Sequence, residues 1–295
     1  MTNIPIPVAS RRDSVVSACS IDEAAYLIAE EGFAPLAGGT WLMRSRLRGE
    51  DEPPRLVDLS RLADLTGVAC GHDGLRIGAM ATHSSLAAAL PPLPVYRGLL
   101  IAAMKSANPN IRNTATVGGN VATIGFRAPD VATALLGLRA TVEYIVGSAP
   151  NERTTSRLDD FMAYPPTRPH LITSITVPVA VGVGTHVRLP LRAAGDYPVA
   201  IVSAVTTDSE GDQSNITVAY GAVGARPTRW YELEQCLGAN PTSPEEAYEH
   251  AKRLGEQIAV TASVGVPAAY RRAVLPTMVR RALHKLEEAK LGEPE

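Results

Sequence analysis

Two glycine pairs carry the chemistry most visible in this chain: Ala37-Gly38-Gly39-Thr40-Trp41 and Thr116-Val117-Gly118-Gly119-Asn120. Glycine admits positive φ and lets a backbone come close to a ligand, so consecutive N–H groups can line a concave nest for phosphate oxygens. One Gly-Gly pair by itself marks only a turn. Two of them, set far apart in the chain, suggest one diphosphate held from two sides. The pattern is not the single-loop dinucleotide fingerprint, in which three glycines join a first strand to a helix and an acid follows about twenty residues on. A Rossmann domain is therefore not expected, and a flavin dinucleotide is the expected ligand.

The elements that must position these turns are legible in part. A helix is expected over residues 21–31, opened by a capping box of Ser20 with Glu23 and closed at Gly32. A short buried strand over 33–36 then delivers the first glycine pair. Residues 55–59 and 75–80 read as strands, with a tight Asp73-Gly74 turn between apolar runs. Helices are expected over 82–90, ended by Pro91-Pro92, and over 96–104, ended near Asn108-Pro109. The second glycine pair follows at once. Another helix is expected over 132–138 and a β-branched strand over 141–146.

A strand over 172–178 closes this unit, and the glycine-rich 179–184 forms a corner, so the domain division falls between 1–177 and 178–295. Strands over 186–191, 198–206 and 216–220 and helices over 244–255 and 268–289 predict a three-stranded sheet backed by helices. The last helix carries Arg271, Arg272, Arg280, Arg281, His284 and Lys285, expected to be a solvated face.

Composition narrows the function classes. The 295 residues are 45% hydrophobic with a formal charge of -2, which suits a globular protein and gives no general attraction for nucleic acid or acidic membranes. No apolar run approaches the roughly twenty residues that span a bilayer. Residues 1–8 lack the features of a secretory signal, which makes a cytoplasmic location the expectation. Cys19, Cys70 and Cys236 form no C-x-x-C pair, and His72, His83, His170, His186, His250 and His284 show no helical pairing, so no metal or cluster site is expected on this chain. Neither a Ser-His-Asp arrangement nor a pair of catalytic carboxylates is apparent.

Longer runs resemble a known family. Ala37-Gly38-Gly39-Thr40, the run from Asn110-Ile111-Arg112-Asn113 through Thr116-Val117-Gly118-Gly119-Asn120 to Ala122, and Ala128-Pro129-Asp130 are similar to the FAD-binding medium subunit of molybdenum hydroxylases of the carbon monoxide and xanthine dehydrogenase type. In the second half Arg192-Ala193-Ala194-Gly195-Asp196-Tyr197, Tyr220-Gly221-Ala222-Val223 and Ala269-Tyr270-Arg271-Arg272 follow in the family's order.

The resemblance implies an α+β fold: a PCMH-type, vanillyl-alcohol-oxidase-like FAD domain of two subdomains and a small C-terminal domain. It implies that Ala37, Gly38, Gly39, Thr40 and Trp41, with Thr116, Val117, Gly118, Gly119 and Asn120, hold the pyrophosphate through backbone amides and Thr hydroxyls. Asp130 would lie by the ribose and pyrophosphate, although Pro129-Asp130 also stands where a helix N-cap would. Leu171 and Ile172 match a position that touches the isoalloxazine, or are plain strand core. Tyr197 matches an aromatic cover of the ring, or is a turn residue before Pro198.

On the same grounds the molybdenum cofactor sits on a large partner subunit and two [2Fe–2S] clusters on a small one, in a dimer of heterotrimers, and this chain passes their electrons to an acceptor. A stand-alone PCMH-type flavin oxidoreductase and a non-catalytic FAD-binding assembly protein are the other classes. Trp41, Leu191 in place of a Lys, and Val264-Gly265-Val266-Pro267 in place of an Asp-Arg stretch depart from the family's pattern.

Overall fold

The computed structural model describes residues 14–51, 53, 55–123, 125–147, 153–191, 197–207, 215–238, 242–263 and 265–291. The family-like run at 192–196 and Val264 lie outside them. The chain opens with a small parallel sheet in which β1 (Val15–Ser17) and β2 (Ala34–Leu36) flank β3 (Leu56–Asp58). Between β1 and β2 runs α1 (Ile21–Ala29). Ser20 Oγ accepts the Glu23 N–H as predicted, but the Glu23 carboxylate takes the N–H of Cys19 rather than that of Ser20. Gly32, at φ +69°, turns the chain out of the helix. Leu27, Ile28, Phe33 and Val57 close this unit's own core.

The next unit is a five-stranded antiparallel sheet built from β4 (Val68–Gly71), β5 (Gly74–Gly78), β6 (Thr141–Val146), β7 (Arg153–Arg157) and β8 (His170–Val177), in the order β4-β5-β8-β6-β7. Among the described residues of this stretch lie the α-helices α2 (His83–Ala89), α3 (Arg97–Lys105), α4 (Pro109–Arg112), α5 (Val117–Ala122), α6 (Asp130–Gly137) and α7 (Leu158–Ala163). Leu75, Ile77, Leu99, Leu135 and Ile175 fill the core between sheet and helices. The β4–β5 hairpin turns where Asp73-Gly74 predicts it. An antiparallel sheet of this kind is not the parallel, doubly wound sheet of a Rossmann domain.

The remainder pairs β9 (Gly182–Pro190), β10 (Pro198–Thr207), β11 (Asn215–Gly221) and β12 (Thr228–Arg229) in the order β12-β11-β10-β9. Helices α8 (Tyr231–Gly238), α9 (Pro244–Gly255) and α10 (Ala268–Leu291) cover one face. The three long strands correspond to those predicted, except that β9 begins at Gly182, inside the stretch 179–184 expected as a corner. The two-residue β12 adds a fourth, and α8 has no counterpart in the sequence reading.

This sheet has two different faces, because side chains alternate along a strand. Val187, Val202, Ala204 and Val218 point toward α8–α10. His186, Arg188, Ile201 and Ser203 point the other way, toward α6 and the segment before it. One expectation for α10 fails: Arg271 is buried, donating from Nη1 to the Val199 carbonyl at 2.9 Å and from Nη2 to Ser263, so it fastens the helix to β10 instead of facing solvent. Among the described residues no helix is long and apolar enough to cross a membrane, and no cluster of metal-ligating side chains occurs.

Candidate functional site

The fold brings the two glycine pairs together by backbone-to-backbone contact. A methyl group at Gly38 would stand 1.9 Å from the Thr114 carbonyl oxygen, so only glycine lets the first loop lie against the approach to the second. Gly39 sits at φ +64°, in the left-handed region that favours glycine. None of the N–H groups of Ala37, Gly38, Gly39, Thr40 and Trp41 donates a hydrogen bond to a described residue. A run of free amides beside a left-handed glycine is the geometry of an anion nest.

The second loop is different, and corrects the sequence reading. Thr116 to Asn120 is not an open turn but the start of α5: Thr116 is the N-cap and its Oγ1 accepts the Gly119 N–H at 3.1 Å. Val117 N–H goes to the Ala81 carbonyl, Gly118 N–H to Ala79 and Asn120 N–H to Thr116. Those amides are committed within the chain. Gly118 is there for space, since a Cβ would lie 2.7 Å from that of Ala79. What the loop still offers is the hydroxyl proton of Thr116, because that oxygen only accepts in its capping bond.

Beside this loop lies His83, 2% exposed, with Nδ1 2.8 Å from Ser106 Oγ. Ser106 donates its own proton to the Ala103 carbonyl, so Nδ1 carries the imidazole proton. Burial pushes the pKa of His83 down to about 4; the Asp130 carboxylate opposes this shift and the Arg112 guanidinium adds to it.

Asp130 is the first residue of α6 and only 1% exposed. It is not the N-cap: Pro129 holds that place without a side-chain bond. The cap is supplied from elsewhere, by Asn120, whose Oδ1 accepts the Ala132 N–H at 3.0 Å and ties the second loop to α6. Asp130 Oδ1 lies 3.0 Å from His186 Nε2 and 3.1 Å from Arg188 Nε. His186 Nδ1 lies 2.7 Å from Ser203 Oγ. A Ser-His-Asp line therefore exists, contrary to the expectation that there is none. Ser203 is 1% exposed beneath α6, closed to any substrate, so the line does not act as a hydrolytic triad.

Family models of known proteins match this chain in two consecutive blocks. Residues 10–180 match the family model described as the FAD binding domain in molybdopterin dehydrogenase, and residues 186–286 match the CO dehydrogenase flavoprotein C-terminal domain. The chain belongs to this molybdopterin dehydrogenase flavoprotein family. Similar relatives include the carbon monoxide dehydrogenase medium chain of Afipia carboxidovorans, 31% identical over 90% of this chain and 93% of that one. The glyceraldehyde dehydrogenase medium chain of Sulfolobus acidocaldarius is 28% identical over 92% of this chain and 98% of that one. Among solved structures, a chain of Cu,Mo-CO dehydrogenase in its cyanide-inactivated form superposes with a TM-score of 0.81 at 28% identity, covering 93% of this chain and 97% of that one. The chain is thus an FAD-dependent oxidoreductase subunit of the molybdenum hydroxylases.

For this flavoprotein the structure adds an aromatic strap that the sequence reading missed. Phe126 sits between Trp41 and Tyr197, with ring centroids 5.0 and 5.5 Å away, and Arg48 lies over the Trp41 ring at 3.9 Å while donating to the Trp41 carbonyl. The strap joins the first loop to the start of β10. Tyr197 is 58% exposed. Leu171 and Ile172 are both buried, but as strand neighbours they face opposite ways: Leu171 into the core of the small parallel unit, Ile172 into that of the larger sheet. At most one of the two side chains can meet a given ring.

His186, Arg188 and Ser203 were also missed. The alternation His186-Val187-Arg188-Leu189 reads as a half-exposed strand with its polar residues in solvent, and the packing of α3 on β9, with the first turn of α6 against that face, buries His186 and half-buries Arg188. A separate cavity of about 460 Å³ lies between α7 and the β12–α8 corner, but its main polar groups satisfy one another: Arg229 binds Glu234, Tyr231 binds Asp159, and Arg226 binds the carbonyls of Met162 and Ala163.

Proposed function

We propose that this chain is the medium subunit of a three-subunit molybdenum hydroxylase, taking electrons from the two [2Fe–2S] clusters of a small subunit and delivering them to an external acceptor. A large subunit would bear the molybdenum cofactor and the substrate site, in a dimer of heterotrimers. The observation that carries this reading is the run of free amides from Ala37 to Trp41, lying against the approach to Thr116. It fits a diphosphate.

When bound, FAD would join one-electron delivery from clusters to an acceptor, chemistry that belongs to the cofactor and not to side chains. The residues of this chain bind and orient. Ala37, Gly38, Gly39, Thr40 and Trp41 offer amides to the diphosphate, and Thr116 offers its hydroxyl, with Val117, Gly118, Gly119 and Asn120 setting the wall on which it stands. Asp130 takes a donor of the sugar part. Leu171 or Ile172 lies along the isoalloxazine and Tyr197 covers it. Residues 1–177 would form the FAD domain and 178–295 the domain that packs over the flavin.

The test is the visible spectrum, subunit composition and metal content of the protein purified after co-expression with its genomic neighbours. Flavin bands with iron and molybdenum in a three-subunit complex are the expected result. Flavin and turnover on the isolated chain, with no metals, would make it a stand-alone flavin oxidoreductase. Flavin without electron transfer after dithionite reduction would make it an assembly protein.

A further inference from the structure

We propose that His186 and Arg188 of the C-terminal sheet are positioning residues of the dinucleotide site: they hold Asp130 by one oxygen so that the other accepts a sugar hydroxyl of the dinucleotide. The inference rests on the reading of the glycine loops as a dinucleotide site and goes beyond it, since it places the C-terminal domain in control of a binding group of the N-terminal one.

The buried carboxylate of Asp130 is unevenly partnered. Asp130 Oδ1 is hydrogen-bonded to His186 Nε2 at 3.0 Å and lies in an ion-pair contact 3.1 Å from Arg188 Nε, whose N–H makes no hydrogen bond, while Oδ2, equally buried, has no hydrogen-bond partner. A buried charged oxygen without a donor is costly, more so than a neutral one. Asp130 stands on the first turn of α6, whose positive end favours a carboxylate, and His186 and Arg188 face it from β9.

Arg188 and His186 are themselves set by the sheet. His186 is the cross-strand partner of Ser203, whose Oγ is 2.7 Å from Nδ1, and Arg188 stands opposite Ile201 in the same register. An ionised carboxylate only accepts, so the proton of His186 directed at it is on Nε2, and Ser203 is free to donate to Nδ1.

The chemistry of the missing partner follows from the carboxylate. It must be a donor, which excludes the diphosphate: that group has no donor and carries like charge. Asp130 is nonetheless tied to the diphosphate wall, because Asn120 of the second loop binds the amide of Ala132, two residues beyond it. The donors that flank a diphosphate within a dinucleotide are the hydroxyls of its two sugars, ribityl on one side and ribose on the other. Either source presents the same O–H to Oδ2.

The test uses FAD and five single-deoxy analogues, lacking the 2′, 3′ or 4′ hydroxyl of the ribityl chain or the 2′ or 3′ hydroxyl of the adenosine. Each is titrated by flavin fluorescence into the full-length protein, purified with whatever subunits accompany it and stripped of flavin. The wild type is expected to bind at least one analogue roughly 10- to 100-fold more weakly than FAD, the scale of a lost hydrogen bond to a charged group. That analogue identifies which sugar is the source.

His186→Leu and Arg188→Met are expected to weaken FAD by a similar factor and to erase the preference, so that FAD and the analogue bind alike. His186→Gln keeps an N–H donor near the position of Nε2 and is expected to retain the preference, which a merely structural role for His186 would not require. Thermal melts identify any variant that fails to fold; if His186→Leu is one, Arg188→Met and His186→Gln decide. A wild type that binds FAD and all five analogues equally overturns this inference alone, as does a folded His186→Leu or Arg188→Met that keeps the full preference. A wild type that binds no FAD overturns the proposed function and this inference with it.

Discussion

The two glycine pairs look alike in sequence and do opposite things in the fold. At Ala37-Gly38-Gly39-Thr40-Trp41 the backbone amides point to no described partner and Gly39 is left-handed. At Thr116-Val117-Gly118-Gly119-Asn120 those of Val117, Gly118, Gly119 and Asn120 are bonded inside the chain, and Gly118 serves only to let α5 approach Ala79. In the first pair Gly39 is glycine for conformation and Gly38 for space; in the second Gly118 is glycine for space alone. A loop that is to receive an anion must leave its donors unmade, and the neighbouring wall must be rigid enough to hold it open. That the open loop is braced on the closed one, through Gly38 against Thr114, makes the pair a single device.

The comparison breaks most severely at Gly38→Ala. The new methyl would meet backbone atoms of Thr114 that cannot rotate away, so the two loops must separate, at a cost of about 3 kcal/mol in stability. Flavin content and thermal midpoint should fall together, and a variant that melts like the wild type would show that the loops are not braced on each other.

His83, packed beside the closed loop, adds a pH dependence. The pKa of His83, about 4 when folded against an ordinary 6.5, means that the unfolded chain binds the proton first. Its stabilising effect is complete above about pH 6.5 and is lost as pH falls toward 4, a loss of about 3 kcal/mol. Denaturant midpoints across that window should show the slope, and His83→Leu should flatten it. An unchanged slope in the variant would move the titration elsewhere.

Smaller changes separate binding from stability. Gly39→Ala strains a left-handed position but its new methyl meets only the side chains of Leu36 and Met43, at 3.2 Å each. It should cost about 1–2 kcal/mol in stability, and it should weaken FAD by more than it lowers the melting point. Asn120→Ala removes the cap of α6 and should cost about 1 kcal/mol. Amide exchange would then rise at Ala132 and leave Ala37 to Trp41 as they are.

Much of this was legible in the chain. Ser20 caps α1 at the place its sequence neighbours predict, because a cap is a contact within four residues. The Asp73-Gly74 hairpin and the bounds of α9 are legible for the same reason. Asp130 was a candidate ligand from its motif, but its partners were not, since His186 and Arg188 lie on another sheet and look solvent-facing in their own strand. Arg271 was misread in the same way: a basic residue on a long helix gives no sign that β10 passes within reach of it.

By itself, then, the sequence determined the local elements, the glycine positions at which no other residue serves, and the family. Those follow from short-range sterics, capping and periodicity, which are written in consecutive residues. Only the tertiary structure decided which glycine pair remained open, which side chain capped α6, and which polar residues of β9 became buried. Each of those depends on what another element places opposite. A free donor, a borrowed cap and an unpaired carboxylate oxygen are properties of a meeting between segments, so no single segment carries them.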